Sequence, residues 1–296
     1  MPPIPPPRES GFTTTTPVPL YWCRYGPVGA PPLLVLHGGP GAHHDYLLPQ
    51  LLTLAEEYDC LFYDQRGGGR SRHDDDRADI TWQSQAADVA AVCREFALER
   101  PVVVGYSWGA LLAMLTATEA AAGRLAPRPA ALALIDPAPI SRAFRTTFEQ
   151  EFAARSQSEA VRALRTALAT SGLKERDPGA YKQRAFELSV AGYFADPAAS
   201  HGLTPFRVTE RVQRGVWDSL GDYDLTEALT ALRDTPSLIV HGRQDPIPLA
   251  SSEAAAAAMG AALVALDACG HVPYVEQPSA LFAPLVAFLH RVLPPG

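Results

Sequence analysis

Short apolar runs alternate with longer segments of helical periodicity along most of the chain. Runs rich in valine, isoleucine and leucine predict strands at residues 20–25, 33–37, 60–63, 102–105, 131–135, 237–241 and 263–266. Helical periodicity predicts helices at residues 46–57, 82–99, 108–122, 251–259 and 279–292. This alternation is typical of βαβ units, so the sequence predicts an α/β fold with a mostly parallel central sheet flanked by helices.

The alternation stops between residues 137 and 224. This stretch has no strand pattern, and Phe144, Phe148 and Phe152 recur in it at the spacing of one helix face. A long helical segment between two core strands predicts a helical cap over the sheet. The predicted organisation is therefore a core of residues 1–136 and 225–296 with an inserted cap of residues 137–224.

Composition and charge exclude several kinds of partner. The chain has 296 residues and a net charge of −7, which argues against a nucleic-acid partner because such a protein needs a basic face. No apolar run approaches the roughly 18 residues that a membrane helix requires, so we expect a soluble protein without a membrane partner. Nothing in the sequence predicts an oligomer.

The cysteines and the start of the chain favour a cytoplasmic location. The four cysteines stand apart, without a Cys-x-x-Cys pair or a histidine at metal-finger spacing, as is typical of reduced thiols: Cys23, Cys60, Cys93 and Cys269. Residues 1–7 are rich in proline and have no apolar region of the kind found in secretion signals. The sequence predicts no metal site and no cofactor.

The strongest chemical signal is the pentapeptide Gly105-Tyr106-Ser107-Trp108-Gly109, which lies between a predicted strand and a predicted helix. A serine on a sharp strand-to-helix turn needs small residues two positions before and after it, because side chains there would collide with the flanking backbone. Gly-x-Ser-x-Gly also occurs by chance in ordinary turns, but the strand and the helix around it favour a catalytic interpretation. The pattern predicts that Ser107 is a nucleophile.

A serine hydroxyl becomes a good nucleophile only beside a base that a third group orients. His271 follows the last predicted core strand on a glycine-containing loop, at the sheet edge where sites form in α/β proteins. Asp245 and Asp136 compete for the orienting role, since each follows a predicted strand and precedes a proline. The chain order Ser107, Asp245, His271 matches a known order of triads and favours Asp245. Asp136 is then interpreted as a strand-end residue at the entry to the cap.

A glycine-rich segment, Leu36-His37-Gly38-Gly39-Pro40-Gly41, follows another predicted strand. Glycines let backbone N–H groups approach a substrate oxygen, so we expect the N–H groups of Gly39 and Trp108 to form an oxyanion hole. A phosphate-binding loop is a poor interpretation, because no Gly-Lys-Ser/Thr sequence follows.

With these motifs the chain resembles the α/β-hydrolase superfamily and, within it, the proline iminopeptidase group of serine peptidases. The resemblance rests on the pentapeptide around Ser107 and on four further elements: His-Gly-Gly-Pro-Gly at 37–41, Asp-Gln-Arg-Gly-Gly-Gly-Arg-Ser at 64–71, Gly-Arg-Gln-Asp at 242–245 and Gly-His at 270–271. It implies an acyl-enzyme mechanism and release of an N-terminal residue, often proline, from small peptides. The family usually has glycine where Tyr106 stands here.

The resemblance also implies acidic residues that bind the free amino group of the substrate, because a buried ammonium group needs a carboxylate beside it. Some family members have a glutamate directly after the triad aspartate, where this chain has Pro246. Candidates on the cap are Glu149, Glu151, Glu187 and Glu210, although each could equally be a surface residue. Candidates for an apolar pocket are Phe144, Phe148 and Trp217, which could equally be core residues.

Two other functions stay open at the level of sequence. The same triad cleaves esters more easily than amides, so a carboxylesterase or lactonase acting on a small metabolite is an alternative to an aminopeptidase. A ligand-binding member of the fold without catalytic activity is a minor alternative, because the chain carries all the residues of a triad.

Overall fold

The computed structural model describes residues 4–72 and 79–294, in which one eight-stranded sheet forms the centre. The strands are β1 (Glu9–Phe12), β2 (Tyr21–Tyr25), β3 (Pro32–Leu36), β4 (Asp59–Tyr63), β5 (Val102–Tyr106), β6 (Ala131–Ile135), β7 (Ser237–Gly242) and β8 (Ala262–Leu266). They lie in the order β1-β2-β4-β3-β5-β6-β7-β8. Only the pairs β1–β2 and β2–β4 are antiparallel, so the predicted mostly parallel α/β sheet is confirmed.

The helices are α1 (Trp82–Glu95), α2 (Trp108–Ala121), α3 (Arg142–Ser156), α4 (Glu159–Thr170), α5 (Leu173–Arg176), α6 (Pro178–Val190), α7 (Glu210–Leu220), α8 (Leu249–Met259), α9 (Pro273–Glu276) and α10 (Pro278–Val292). The helix predicted at residues 46–57 is instead two 3₁₀ helices, His44–Leu47 and Gln50–Glu56, with Pro49 between them. No helix formed by the described residues is long and apolar enough to cross a membrane.

Both faces of the sheet are buried, which explains why its central strands read as continuous apolar runs. Successive side chains of a strand point to opposite faces. Leu34 and Leu36 of β3 therefore pack with α1, α2 and α8, whereas Leu33 and Val35 pack on the opposite face with α10. The core thus consists of two layers separated by the sheet.

The segment from α3 to α7 lies between β6 and β7, and its two ends are joined by backbone hydrogen bonds. Arg142 N–H donates to the Tyr223 carbonyl at 2.7 Å, and Leu225 N–H donates to the Ile140 carbonyl at 2.9 Å. Ser141 and Asp224 form an antiparallel bridge in the same place. The helical segment therefore leaves and re-enters the sheet region through a narrow stem.

Asp64, directly after β4, ties together the loops at the carboxyl edge of the sheet. Its carboxylate accepts hydrogen bonds from Nδ1 and from the backbone N–H of His44, at 2.7 and 3.0 Å, and from the Arg70 N–H at 2.8 Å. Burial lowers the pKa of His44, but its bonds to Asp64 and Cys23 outweigh burial and raise the pKa to about 10. Burial likewise raises the pKa of Asp64, yet the His44 bond holds it well below the usual range. The pair is therefore a buried ion pair at neutral pH.

We expect His44→Gln to destabilise the protein by about 3 kcal/mol at pH 6, because it leaves the Asp64 carboxylate buried without its cation. The folded-state pKa of His44 lies above the unfolded value, so its stabilisation is complete below about pH 6.5 and is lost as the pH rises towards 10. Urea unfolding of both proteins between pH 6 and 10 should show the difference in unfolding free energy shrinking with pH. A difference independent of pH would contradict the ion pair.

His290→Gln is the matched control for this experiment, since His290 forms an ion pair with Glu57 at 2.7 Å in which both side chains are exposed. Exposed pairs contribute at most about 1 kcal/mol, so its substitution should change the unfolding free energy little.

Candidate active site

Ser107 occupies a sharp turn between β5 and α2 with an unusual backbone conformation, φ 53° and ψ −119°. Close contacts with the neighbouring backbone require glycine at positions 105 and 109, two residues before and two residues after Ser107. A Cβ atom at Gly105 would lie 2.6 Å from the Ala110 Cα, and one at Gly109 would collide with the Leu36 carbonyl oxygen. The turn therefore exists only because both positions lack a side chain, and it presents the Ser107 hydroxyl beyond the carboxyl end of the sheet.

The structure brings Ser107, His271 and Asp245 together from the ends of β5, β8 and β7. The distance between His271 Nε2 and Ser107 Oγ is 2.9 Å, and that between His271 Nδ1 and Asp245 Oδ2 is 2.7 Å. The other carboxylate oxygen of Asp245 accepts the Ile247 N–H at 2.7 Å. The imidazole is thus held between the hydroxyl and the carboxylate.

Burial sets the charge of this imidazole. It lowers the pKa of His271 to about 4, so the ring is neutral at pH 7 and its Nε2 has a lone pair for the Ser107 proton. Burial raises the pKa of Asp245, and the hydrogen bond from the Ile247 N–H acts in the opposite direction. Asp136, the other aspartate that the sequence proposed for this role, lies beside Asp245 and not against the imidazole.

The loop after β3 lies directly against Ser107. A Cβ atom at Gly38 would lie 2.7 Å from the Ser107 Cβ, so only glycine permits this approach. Gly39 lines the same cavity as Ser107 and His271. Within the described part of the chain, no acceptor is bound by the backbone N–H of Gly39 or of Trp108. Both predicted oxyanion donors are therefore available beside the serine.

A buried polar network holds the two donor-bearing segments in place. Gln65 Nε2 donates to the His37 carbonyl at 2.6 Å, and His37 Nε2 accepts the Gln65 N–H at 3.0 Å. The Trp108 indole N–H donates to Gln65 Oε1 at 3.0 Å. Gln65 therefore connects the loop after β3 with the start of α2, and His37 acts as a hydrogen-bonded support without a catalytic position.

The cavity above Ser107 has a volume of about 280 Å³ and a largely aromatic lining. Its described lining residues are Gly39, Tyr46, Tyr106, Ser107, Phe186, Ser189, Val190, Tyr193, Leu203, Phe206, Val208, Gln213, His271, Val272 and Tyr274. None of these residues carries a carboxylate. Tyr106, which stands where the resembling family usually has glycine, donates from its hydroxyl to the His271 carbonyl at 2.8 Å. The Tyr106 side chain therefore narrows the cavity, and its hydroxyl binds the loop that carries His271.

None of the four acidic candidates lines this cavity. Glu149 pairs with Arg145 at 2.8 Å and Glu151 with Arg155 at 2.9 Å, each one helical turn away on α3. Glu187 is buried but pairs with Arg184 at 2.7 Å. Glu210 is exposed at the start of α7. The structure therefore leaves all four carboxylates outside the lining of this cavity, and three of them pair with an arginine of their own helix.

The three aromatic candidates also lie outside the cavity. Trp217 packs on Trp108 at 5.3 Å, and Phe144 packs in the core beside it. Phe148 packs on Tyr193 at 6.2 Å, and the Tyr193 ring in turn lies 5.1 Å from His271. These residues support the wall of the site and do not form its surface.

Sequence reasoning missed Glu276, which joins the histidine loop to the cap. Its two carboxylate oxygens accept the Ala195 N–H at 2.7 Å and the Gly270 N–H at 2.8 Å. It also missed the tyrosines and phenylalanines that line the cavity, Tyr46, Tyr274, Phe186 and Phe206. No local pattern marks these residues, because they come from separate segments that meet only in the folded chain.

Comparison with known proteins identifies relatives of two kinds. The proline iminopeptidase of Saccharolobus solfataricus is 34% identical over 108 residues, which are 36% of this chain and 35% of that protein. The chain thus matches about a third of the length of this curated relative. The crystal structure of the proline iminopeptidase of Mycobacterium smegmatis superposes with a TM-score of 0.68 at 23% identity, over 96% of this chain and 98% of that one.

The enol-lactonase of Burkholderia xenovorans LB400 superposes with a TM-score of 0.63 at 20% identity, over 94% of this chain and 99% of that one. At such identities the two structural similarities concern the fold. The alpha/beta hydrolase family model matches residues 33–285, which extend from β3 into α10. This match confirms the resemblance found in the sequence: the chain belongs to the alpha/beta hydrolase family.

Proposed function

We propose that the protein is a serine hydrolase that cleaves a carboxylic ester or amide through an acyl-enzyme. The observation that carries this proposal is the continuous pair of hydrogen bonds from Ser107 Oγ through the His271 ring to Asp245, at 2.9 and 2.7 Å. A nucleophile, a base and an orienting carboxylate within such distances are the arrangement needed for acyl transfer.

The reaction begins when Ser107 Oγ attacks the carbonyl carbon and its proton passes to His271 Nε2. The carbonyl oxygen gains the negative charge, which the N–H groups of Gly39 and Trp108 stabilise; each such donor typically contributes about 10²–10³ in rate. Collapse breaks the bond to the leaving group, which takes the proton from His271, and leaves Ser107 acylated. A water molecule then gives a proton to His271 and attacks the acyl carbon. The bond from the acyl carbon to Ser107 Oγ breaks, His271 returns the proton to Oγ, and the acid is released.

The lining of the cavity favours a neutral, largely apolar acyl group. Its volume of about 280 Å³ suits a small group, and no carboxylate among the described lining residues is available to a substrate ammonium. Burying an ammonium without an anionic partner costs several kcal/mol. We therefore propose a small ester or lactone as the substrate class, the carboxylesterase or lactonase alternative that the sequence left open.

Release of an N-terminal residue from a small peptide is the second candidate function. It is favoured by the motifs shared with proline iminopeptidases and by the curated relative of that name. This chain matches about a third of the length of that relative. For this reaction a carboxylate of the four acidic candidates would have to line the cavity. None of the four is among the described lining residues.

Ser107→Ala should abolish labelling by a fluorophosphonate probe and lower kcat by about 10⁶-fold, the size of loss seen when a triad serine is removed from a serine protease. Ser189→Ala is the matched control, because Ser189 lines the same cavity but its hydroxyl donates to the Phe186 carbonyl at 2.6 Å. Gel-based labelling of both variants reads out the result. Full stoichiometric labelling of the Ser107 variant would overturn the assignment of the nucleophile.

The substrate class is tested by comparing kcat/KM for a short-chain aryl ester, a prolyl arylamide and its N-acetyl analogue. A cavity without a carboxylate should turn over the ester rapidly and should not prefer the free amine to the acetylated one. A strong preference for the free amine of the prolyl arylamide would reject the ester proposal and establish the aminopeptidase. Heat-denatured protein and the Ser107 variant give the background rates.

A further inference from the structure

Asp136 is a fully buried acidic residue that the proposed reaction does not use. It follows β6 at the sheet edge with φ 40°, and its backbone N–H donates to the Val240 carbonyl at 2.8 Å. Its Oδ1 accepts the Gly242 N–H at 2.8 Å. Its Oδ2 is buried and has no hydrogen-bond donor among the described residues. An ionised carboxylate in this place would keep one charged oxygen unsatisfied.

The neighbours of Asp136 supply no balancing positive charge. One polar atom each of Asp136, His241 and Asp245 lie within 4.8 Å of one another. His241 Nε2 donates to the Ile247 carbonyl at 3.1 Å, and its Nδ1 accepts the Ser252 hydroxyl at 2.9 Å. Burial lowers the pKa of His241 to about 4, so this ring is neutral. Both of its nitrogens are engaged, which leaves it no lone pair for a metal ion.

Ionising two buried carboxylates this close together would place like charges in a low dielectric, which favours keeping a proton on one of them. Asp245 is the better anion of the two: it accepts hydrogen bonds from Ile247 N–H and His271 Nδ1 at 2.7 Å each. Arg155, which donates to the Gln244 carbonyl, also favours its charged form. Burial and the Asp245 charge together raise the pKa of Asp136 well above its usual range.

We propose that Asp136 is a positioning residue that keeps its proton at neutral pH and donates it in a hydrogen bond to the Asp245 carboxylate. This inference rests on the proposed triad. The bond satisfies the remaining Asp136 oxygen and holds the Asp245 carboxylate in line with His271. It also keeps the negative charge of a second aspartate away from the imidazole. An ionised Asp136 would raise the pKa of His271 and favour an imidazolium in the resting enzyme, whose Nε2 has no lone pair for the Ser107 proton.

The ionisable groups around the pair come from every neighbouring element. Besides His241, they are His271 and Cys269 on the loop after β8, Glu276 on α9, Arg155 on α3, Tyr106 at the end of β5, Tyr193 after α6 and Tyr274 on α9. Burial raises the pKa of Cys269, Tyr106 and Tyr274 far enough to keep these groups neutral at pH 7. The proton held between Asp136 and Asp245 therefore acts on His271 together with the Glu276 carboxylate, which also raises the pKa of that imidazole.

The test compares Asp136→Ala with Asp136→Asn, using the ester substrate. Asparagine reproduces the protonated aspartate, since its amide oxygen can accept the Gly242 N–H and its NH₂ can donate to Asp245. We expect alanine to lower kcat by about 10²-fold through misplacement of Asp245, and asparagine to restore kcat together with the wild-type acid limb of kcat/KM. If Asp136 were ionised, asparagine would remove a charge and move that limb about 1–3 pH units lower, which would overturn the proposal.

A second measurement does not need the Asp136→Ala variant to fold, and it does not depend on catalysis. Infrared spectroscopy of the Ser107→Ala protein at pH 7 should show the carbonyl band of a buried protonated carboxyl group, and adding Asp136→Asn should remove that band. Absence of the band, or its persistence in the double variant, would overturn the proposal. If instead Ser107→Ala were active while the band behaved as expected, the triad would be wrong and the protonated Asp136 would stand. Ser252→Ala, which alters His241 but not the two carboxylates, is the control and should keep the band.

Discussion

The close packing of the loop after β3 against the turn at Ser107 is the contact on which the whole site depends. Gly38 lies against the Ser107 side chain, and Gly109 lies against the carbonyl of Leu36. A side chain at either place would push the two segments apart. This packing places Gly39 and Ser107 in the lining of one cavity, so the proposed donors, the N–H groups of Gly39 and Trp108, would be held without rearrangement during the reaction. Their position between β3 and β5 is also where the strand order of the sheet reverses, as is usual for sites in α/β proteins.

Much of the polar sequence near this contact is structural. Gln65 bonds with His37 and Trp108, Asp64 bonds with His44, and Arg66 makes two bonds with Asp88, at 2.9 and 2.7 Å. The motif at residues 64–71 therefore supports the loops around the serine. The residues that this motif shares with proline iminopeptidases therefore hold the site in shape. The cavity itself is lined by other residues, from the inserted helical segment and from the core.

The helical segment between β6 and β7 contributes aromatic and aliphatic side chains to the cavity, and its acidic side chains lie elsewhere. Phe186, Val190, Tyr193 and Phe206 reach the cavity, whereas the acidic side chains of α3 pair with arginines on the same helix. Aromatic and aliphatic side chains around buried polar groups lower the local dielectric and so strengthen the electrostatic effect of those groups. The same low dielectric makes the charge state of Asp136 and Asp245 important for His271.

The sequence by itself determined the strands β2 to β8, the turn at Ser107 and the identity of the three residues that meet there. These features are local: a buried strand reads as an apolar run, and a sharp turn requires glycine at two specific positions. It did not predict β1, whose four residues are largely exposed and polar, nor the two 3₁₀ helices around Pro49. Only the tertiary structure decided which cap residues face the serine, because that depends on how α3, α6 and the segments after them pack over the sheet. It also decided that Asp136 and Asp245 lie together, since residues more than 100 positions apart become neighbours only when β6 and β7 pair.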